Sequence, residues 1–249
     1  MSIADHLREL RYRLIVAIAA VIVCSAVAAI WYDQLYSLLL WPYERAVAIL
    51  AERYPQLQPA PVIEGVTAPF TLAIKVCLTA GTVAASPVWL FQLWRFIAPG
   101  LRARERKGAA IFLGVGIPLF LAGVGVGYYI MPQGIWVMLS FTPDTVPVVN
   151  LLELNSFLSL TLQLMVIFGL GFLIPLVVVG LNLMGVVSAK ALAKARSYVI
   201  FGIFVFGAVA TPSTDPFSML ALSLPMAILY IVAEVIAHIH DKRKLKAQT

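Results

Sequence analysis

The stretch Ser156–Met184, SFLSLTLQLMVIFGLGFLIPLVVVGLNLM, runs for 29 residues without a charged side chain. A helix needs about 20 apolar residues to cross the hydrocarbon core of a bilayer, and this run exceeds that. Further apolar runs lie on either side of it, at about 14–32, 68–94, 108–130, 197–210 and 216–237. In lipid, only helices and closed barrels satisfy all their backbone hydrogen bonds. These runs are too long and continuous for barrel strands. The sequence therefore predicts an all-α polytopic membrane protein with six transmembrane helices. Composition agrees: 61% of the 249 residues are hydrophobic and 12% are charged, against about 25% charged in a soluble domain. No polar stretch is long enough for a soluble domain, so a single membrane domain over 1–249 is expected.

The last two helices are expected to be short. The run 197–210 holds 14 residues before the turn signals Thr211-Pro212-Ser213-Thr214-Asp215-Pro216. At 1.5 Å per residue it reaches ~21 Å, against a core of ~30 Å. The run 216–237 follows at once and contains Pro225. A short hairpin of this kind thins the bilayer locally or leans on its neighbours.

Lys and Arg set the orientation, because cytoplasmic loops carry an excess of them. With the N-terminus inside, fifteen of the eighteen cations fall on the inner side, Arg45 and Arg53 fall outside, and Lys75 lies within a helix. Both termini are therefore expected in the cytoplasm, the chain sitting in the plasma or inner membrane. A leader over 1–13, with Ile3, Leu7, Leu10 and Leu14 at helical spacing, approaches the first helix as an amphipathic segment. Ala26-Val27-Ala28 imitates a signal-peptide cleavage site, but the apolar run continues past it, so the segment is expected to stay. A basic tail occupies 238–249. The outer loops 33–67 and 131–155 are long enough to cap the helices, and the first contains an amphipathic stretch from Tyr36 to Leu50.

The residues that catalysis would need are missing from the pattern. His6, His238 and His240 all lie near the chain ends, and there is no HExxH pair, Walker loop or GxSx-type serine beside a histidine. No enzyme activity, metal or cofactor is expected. The net charge of +6 reads as topology rather than nucleic-acid binding. Cys24 and Cys77 sit in apolar runs and read as buried small hydrophobes. A secondary transporter usually shows internal repeats and mid-membrane ionisable groups. Here Lys75 lies near the outer end of the second helix and can snorkel, and Glu234 lies near the inner end of the sixth. A small-solute or proton-coupled transporter is the alternative function.

Two carboxylates stand out. Glu105 is the acid among Arg95, Arg102, Arg104, Arg106 and Lys107, and Glu9 lies among Arg8, Arg11 and Arg13. Each has an ordinary explanation. Glu105 opens a helix and suits its dipole; Glu9 precedes Arg13 by four residues, the favourable order for a helix pair. Yet both sit at the inner interfacial level beside the apolar, turn-forming Phe96-Ile97-Ala98-Pro99-Gly100-Leu101. A guanidinium pairs bidentately with a carboxylate, so two such groups suit a peptide carrying two arginines. In the fourth helix, Gln163 is the strongest polar group and should face protein or a wet groove. Pro87, Pro118, Pro175 and Pro225 bend helices, and Gly123-x-x-x-Gly127 reads as close helix packing.

Across nearly its whole length the chain resembles the TatC family, the signal-peptide receptor subunit of the twin-arginine protein translocase. The resemblance rests on His6-Leu7-Arg8-Glu9-Leu10-Arg11; on Ala68-Pro69-Phe70 with Ile74-Lys75; on Ser86-Pro87; on Gln92-Leu93-Trp94-Arg95-Phe96-Ile97-Ala98-Pro99-Gly100-Leu101 with Glu105-Arg106; and on Thr211-Pro212 with Asp215. It implies recognition of twin-arginine signal peptides through the positions Glu9, Arg11, Phe96 and Glu105. Pro42, Pro87, Lys75 and Glu234 also match family positions. It further implies TatA- and TatB-type single-span partners, a homo-oligomer within the complex, and export of folded proteins driven by the proton-motive force. One position departs. Many members carry a glutamate in a Phe-Glu-Val-Pro-like string, where this chain has Phe172-Leu173-Ile174-Pro175. Gln163 is the candidate replacement for that polar group.

Overall fold

The computed structural model describes residues 3–53, 65–97, 105–139, 153–183, 185–211 and 216–246. Among them there is no strand, and the elements are helices throughout. Helix α1 (Ile3–Ala28) leads through a single 3-10 turn, Ala29–Trp31, into α2 (Tyr32–Arg53). Then come α3 (Ala68–Ala84), α4 (Ser86–Ile97), α5 (Glu105–Leu139), α6 (Leu154–Leu183), α7 (Ala189–Ala210) and α8 (Pro216–Lys246). Five stretches are long and apolar enough to cross a membrane, and α3 with α4, bent by 58° at their junction, makes the sixth.

The helices run further than the apolar segments that mark them. The leader is continuous with the first span: Ile3 to Ala28 holds no Gly or Pro, so nothing stops the helix. The amphipathic stretch after it is α2, and α1 with α2 forms one apolar length, Leu7–Ala48, about twice what a single crossing needs. Helix α5 spans 35 residues, ~52 Å at 1.5 Å per residue, and passes through Pro118 and Pro132, so it projects into the expected outer loop 131–155. Helix α7 begins at Ala189 rather than at the start of its apolar run. Ser188 caps it, accepting from the Ala191 amide at 3.3 Å, and the alanine-rich AKALAKAR turns are strong helix formers. It has 22 residues, long enough (~33 Å) to cross, although its apolar part is as short as expected. Helix α8 carries on to Lys246, so most of the basic tail is helical, its cations in the last turns, where the helix dipole favours them.

The centre of the bundle is the antiparallel pair α5–α6. A Cβ added to Gly123 would lie 2.5 Å from the Phe168 carbonyl oxygen, and one on Gly127 would lie 2.9 Å from that of Leu164. The Gly-x-x-x-Gly spacing is a backbone-to-backbone contact, as its pattern suggested. Around it the main core gathers Leu158, Phe168, Leu222, Met226 and Tyr230 from α6 and α8 with Leu39 of α2. A second cluster joins Leu90 and Trp94 of α4 to Phe120 of α5 and Leu173 of α6. Helix α1 meets α3 where Gly81 lies against Ser25. Cys24 and Cys77 are free thiols and only half-buried, less enclosed than expected because both lie on the outer helices of the bundle.

Candidate functional site

Glu9 lies on the first turns of α1 and pairs with Arg13 four residues on, through Arg13 Nε at 3.2 Å and through Nη2, both to Oε1. The helix spacing of the sequence is realised as an ion pair, with Arg13 buried and Glu9 half-buried. Arg11 is exposed, two residues on and so on the opposite side of α1. Phe96 is half-buried near the end of α4, and Arg95 beside it lies exposed over the Phe91 ring at 5.8 Å. Glu105 is the first residue of α5; its side chain and residues 98–104 lie outside the described residues. Helix α1 packs along α3 and α4, and α4 along α5. Three neighbouring helices thus carry Glu9, Phe96 and Glu105 to one end of the bundle.

The direction of α4, and so the place of Phe96, is set at the α3–α4 break. Pro87 has no N–H to continue the helix, and the chain bends by 58°. Thr82 Oγ1 donates back to the Leu78 carbonyl at 2.8 Å, a bond that bends helices. The Trp89 indole N–H donates to the Thr82 carbonyl at 3.0 Å, at the end of the broken helix. The Trp89 ring then meets Phe120 of α5 edge-on at 5.1 Å. Pro87 was legible in the sequence as a bend; the indole that finishes the broken end was not.

Pro42 repeats this logic in α2. It is fully buried, and its missing N–H leaves the Leu38 carbonyl, four residues back, without a helical donor. Tyr128 of α5 supplies one, its hydroxyl donating to Leu38 O at 2.6 Å. Trp41 stacks on the Tyr128 ring at 5.7 Å, which fixes α2 against α5.

Glu234 is 4% exposed and is paired, not loose at the inner end. Arg196 of α7 holds it through both oxygens, Nε to Oε2 at 2.9 Å and Nη2 to Oε1 at 2.6 Å. Two turns further along α8, Asp241 Oδ2 accepts the Ala189 amide at 2.8 Å, and Oδ1 accepts from Asn182 Nδ2 at 3.3 Å. The Asn182 amide also donates to Val187 O at 2.8 Å. A carboxylate on the first amides of a helix satisfies an orphan donor and suits the dipole. Together these bonds tie the turn between α6 and α7 to α8. Sequence reading missed Arg196, Asn182 and Asp241 as partners. The one signal available was Asp241, an isolated acid beside a run of cations.

Lys75 Nζ donates to Ser159 Oγ on α6 at 2.9 Å. Gln163, one turn deeper on α6, is exposed and makes no hydrogen bond among the described residues. Leu173 is 3% exposed and packs with Leu90, Trp94 and Phe120. The site where many family members have glutamate is here an apolar core position, on a different face from Gln163. Pro87 is exposed, and Asp215 lies outside the described residues.

The family model for the Sec-independent protein translocase protein (TatC) matches residues 5–225. The chain is 39% identical over 248 residues to the Sec-independent protein translocase protein TatC of Frankia casuarinae, covering 98% of this chain and 67% of that one. It is 30% identical to that of Aquifex aeolicus, covering 100% of this chain and 99% of the relative. A crystal structure of the twin-arginine translocase receptor TatC in DDM superposes with a TM-score of 0.76 at 31% identity, covering 93% of this chain and 99% of that one. The chain belongs to the TatC family: it is a multi-pass membrane subunit of the Sec-independent translocase, working with other Tat subunits, and not an enzyme.

Proposed function

We propose that this chain is the receptor that captures twin-arginine signal peptides at the cytoplasmic face of the plasma or inner membrane, with both termini on that side. The observation that carries the proposal is the packing of α1 along α4 and of α4 along α5, which gathers Glu9, Phe96 and Glu105 at one end. That end also carries most of the chain's cations. Glu9 already holds one guanidinium, that of Arg13. Arg13 orients the carboxylate, and a signal-peptide arginine exchanges one guanidinium contact for another, so binding does not have to desolvate a bare charge. Arg11, exposed on the other side of α1, contacts polar residues flanking the pair. Phe96 offers an apolar face to the residues after the arginines, and Glu105 takes the second arginine. TatA- and TatB-type subunits join this receptor, several copies of which form the core of the complex, and folded cargo then moves under the proton-motive force.

The test is photo-crosslinking from Phe96 and Glu105 to a signal peptide bearing Arg-Arg or Lys-Lys. Crosslinks that weaken with the Lys-Lys peptide support the proposal. Equal crosslinking of the two peptides counts against carboxylate recognition, because an ammonium cannot reproduce the bidentate fork.

A further inference from the structure

We propose that Lys75 forms an anion site for the phosphodiester of a phospholipid, in the groove between α3 and α6 and in the leaflet opposite the chain termini. Lys75 lies seven residues into α3, ~10 Å from the helix start. Its ammonium has three donors, and the Ser159 hydroxyl at 2.9 Å takes one. Serine carries no charge, and among the described residues no carboxylate lies within 4 Å of Nζ. A cation left with a neutral partner inside a span is costly, and such groups find a counter-charge or water. Ile74 and Leu78, flanking it on α3, are 51% and 50% exposed, so this side of the helix is open to lipid.

The depth points to a headgroup. Just above Lys75 a small cavity of about 60 Å³ lies between Tyr32, Tyr36, Ala68, Leu72 and Asn155. It has room for water, and the Asn155 Oδ1 that lines it is buried without a hydrogen-bond partner among the described residues. Tyrosines of this kind sit at headgroup level, and Trp41, Tyr128 and Tyr129 continue the aromatic belt on the neighbouring helices. Ser159 is four residues beyond Asn155 on α6, ~6 Å deeper. A free lysine at that depth would extend straight to the interface. Here it is turned onto Ser159, which holds the ammonium in the groove one turn below the tyrosines. A phosphate at the interface meets its two remaining donors there with a modest local thinning of the bilayer.

Native mass spectrometry of the full-length protein in detergent, titrated with phosphatidylglycerol or with phosphatidylcholine, tests this. Wild type is expected to retain phosphatidylglycerol in preference to phosphatidylcholine, whose own cation competes for the phosphate. Lys75→Met is expected to lose about fivefold in phosphatidylglycerol occupancy, and Lys75→Arg to keep it. Should Lys75→Met not fold, Lys75→Gln, which preserves a donor to Ser159, carries the same expectation. Equal phosphatidylglycerol occupancy in wild type and the neutral variant overturns the proposal. Unchanged lipid occupancy with loss of co-purifying translocase subunits overturns it in favour of a carboxylate on a partner helix.

Discussion

Two glycines two residues apart on α5 should respond to alanine with opposite sign. At Gly123 an added Cβ lies 2.5 Å from the Phe168 carbonyl oxygen and 2.9 Å from the Gly169 Cα, whereas ordinary contact begins at 3.4 Å. The obstacle is backbone, which cannot rotate aside, so α5 and α6 must part locally by about 0.9 Å. Forcing one extra methyl into a packed contact costs about 1–3 kcal/mol. At Gly125 an added Cβ meets nothing within 4 Å. Alanine there relieves the entropy cost of a glycine in a helix interior, worth roughly 0.5–1 kcal/mol. The assay is the thermal unfolding midpoint of each variant in one detergent, with Gly127→Ala as a second tight position, its Cβ 2.9 Å from Leu164 O. Gly123→Ala and Gly127→Ala should lower the midpoint, and Gly125→Ala should leave it unchanged or raise it. If Gly123→Ala and Gly125→Ala shift it alike, the α5–α6 contact is not at backbone distance and the reasoning fails.

Other substitutions separate packing from partner contact. Trp89→Phe keeps the edge contact with Phe120 but removes the donor to Thr82 O; leaving that carbonyl unsatisfied should cost about 1–3 kcal/mol and broaden the distance distribution between spin labels on α3 and α4. Tyr128→Phe makes the same cut at Leu38 O and should loosen α2 against α5, read as faster hydrogen exchange in α2. Glu234→Gln removes the charge that grips Arg196. It should raise protease sensitivity near the α6–α7 turn and reduce export, with Arg196→Gln adding little to it in the double variant. Gln163 is exposed and makes no hydrogen bond among the described residues, so Gln163→Leu should leave the thermal midpoint unchanged while lowering export or complex assembly; intact export and assembly would remove Gln163 as the substitute for the missing glutamate.

The spans were legible because the length of an apolar run is a physical requirement of the bilayer, and Ser156–Met184 satisfies it without context. The ends were not. Ala189–Arg196 is amphipathic and charged, and nothing apolar marks it, yet Ser188 and a run of good helix formers make it the first two turns of α7. The bend at Pro87 was visible as a missing N–H, whereas its indole cap depends on where Trp89 points. At the candidate site the Glu9–Arg13 pair was readable from its spacing of four. The Arg196–Glu234 pair was not, since its members are 38 residues apart on separate helices and meet only after α7 and α8 pack. Gln163, the strongest polar group of its helix, was expected to face protein or a wet groove. That it faces outward while Leu173 faces the core is a matter of helix phase against three neighbours, which one sequence does not settle. The transporter alternative rested on composition alone, and membership of the TatC family displaces it.

The central claim is that paired carboxylates read paired arginines. The most direct measurement is the affinity of the purified receptor complex for Arg-Arg and Lys-Lys signal peptides, in wild type, Glu9→Gln, Glu105→Gln and the double variant. Charge-assisted hydrogen bonds of this kind are worth about 1.5–3 kcal/mol each, so each single change should weaken the Arg-Arg peptide roughly ten- to hundredfold and narrow its advantage over Lys-Lys. The double variant should bind the two peptides alike. An Arg-Arg preference that survives in the double variant would contradict the account.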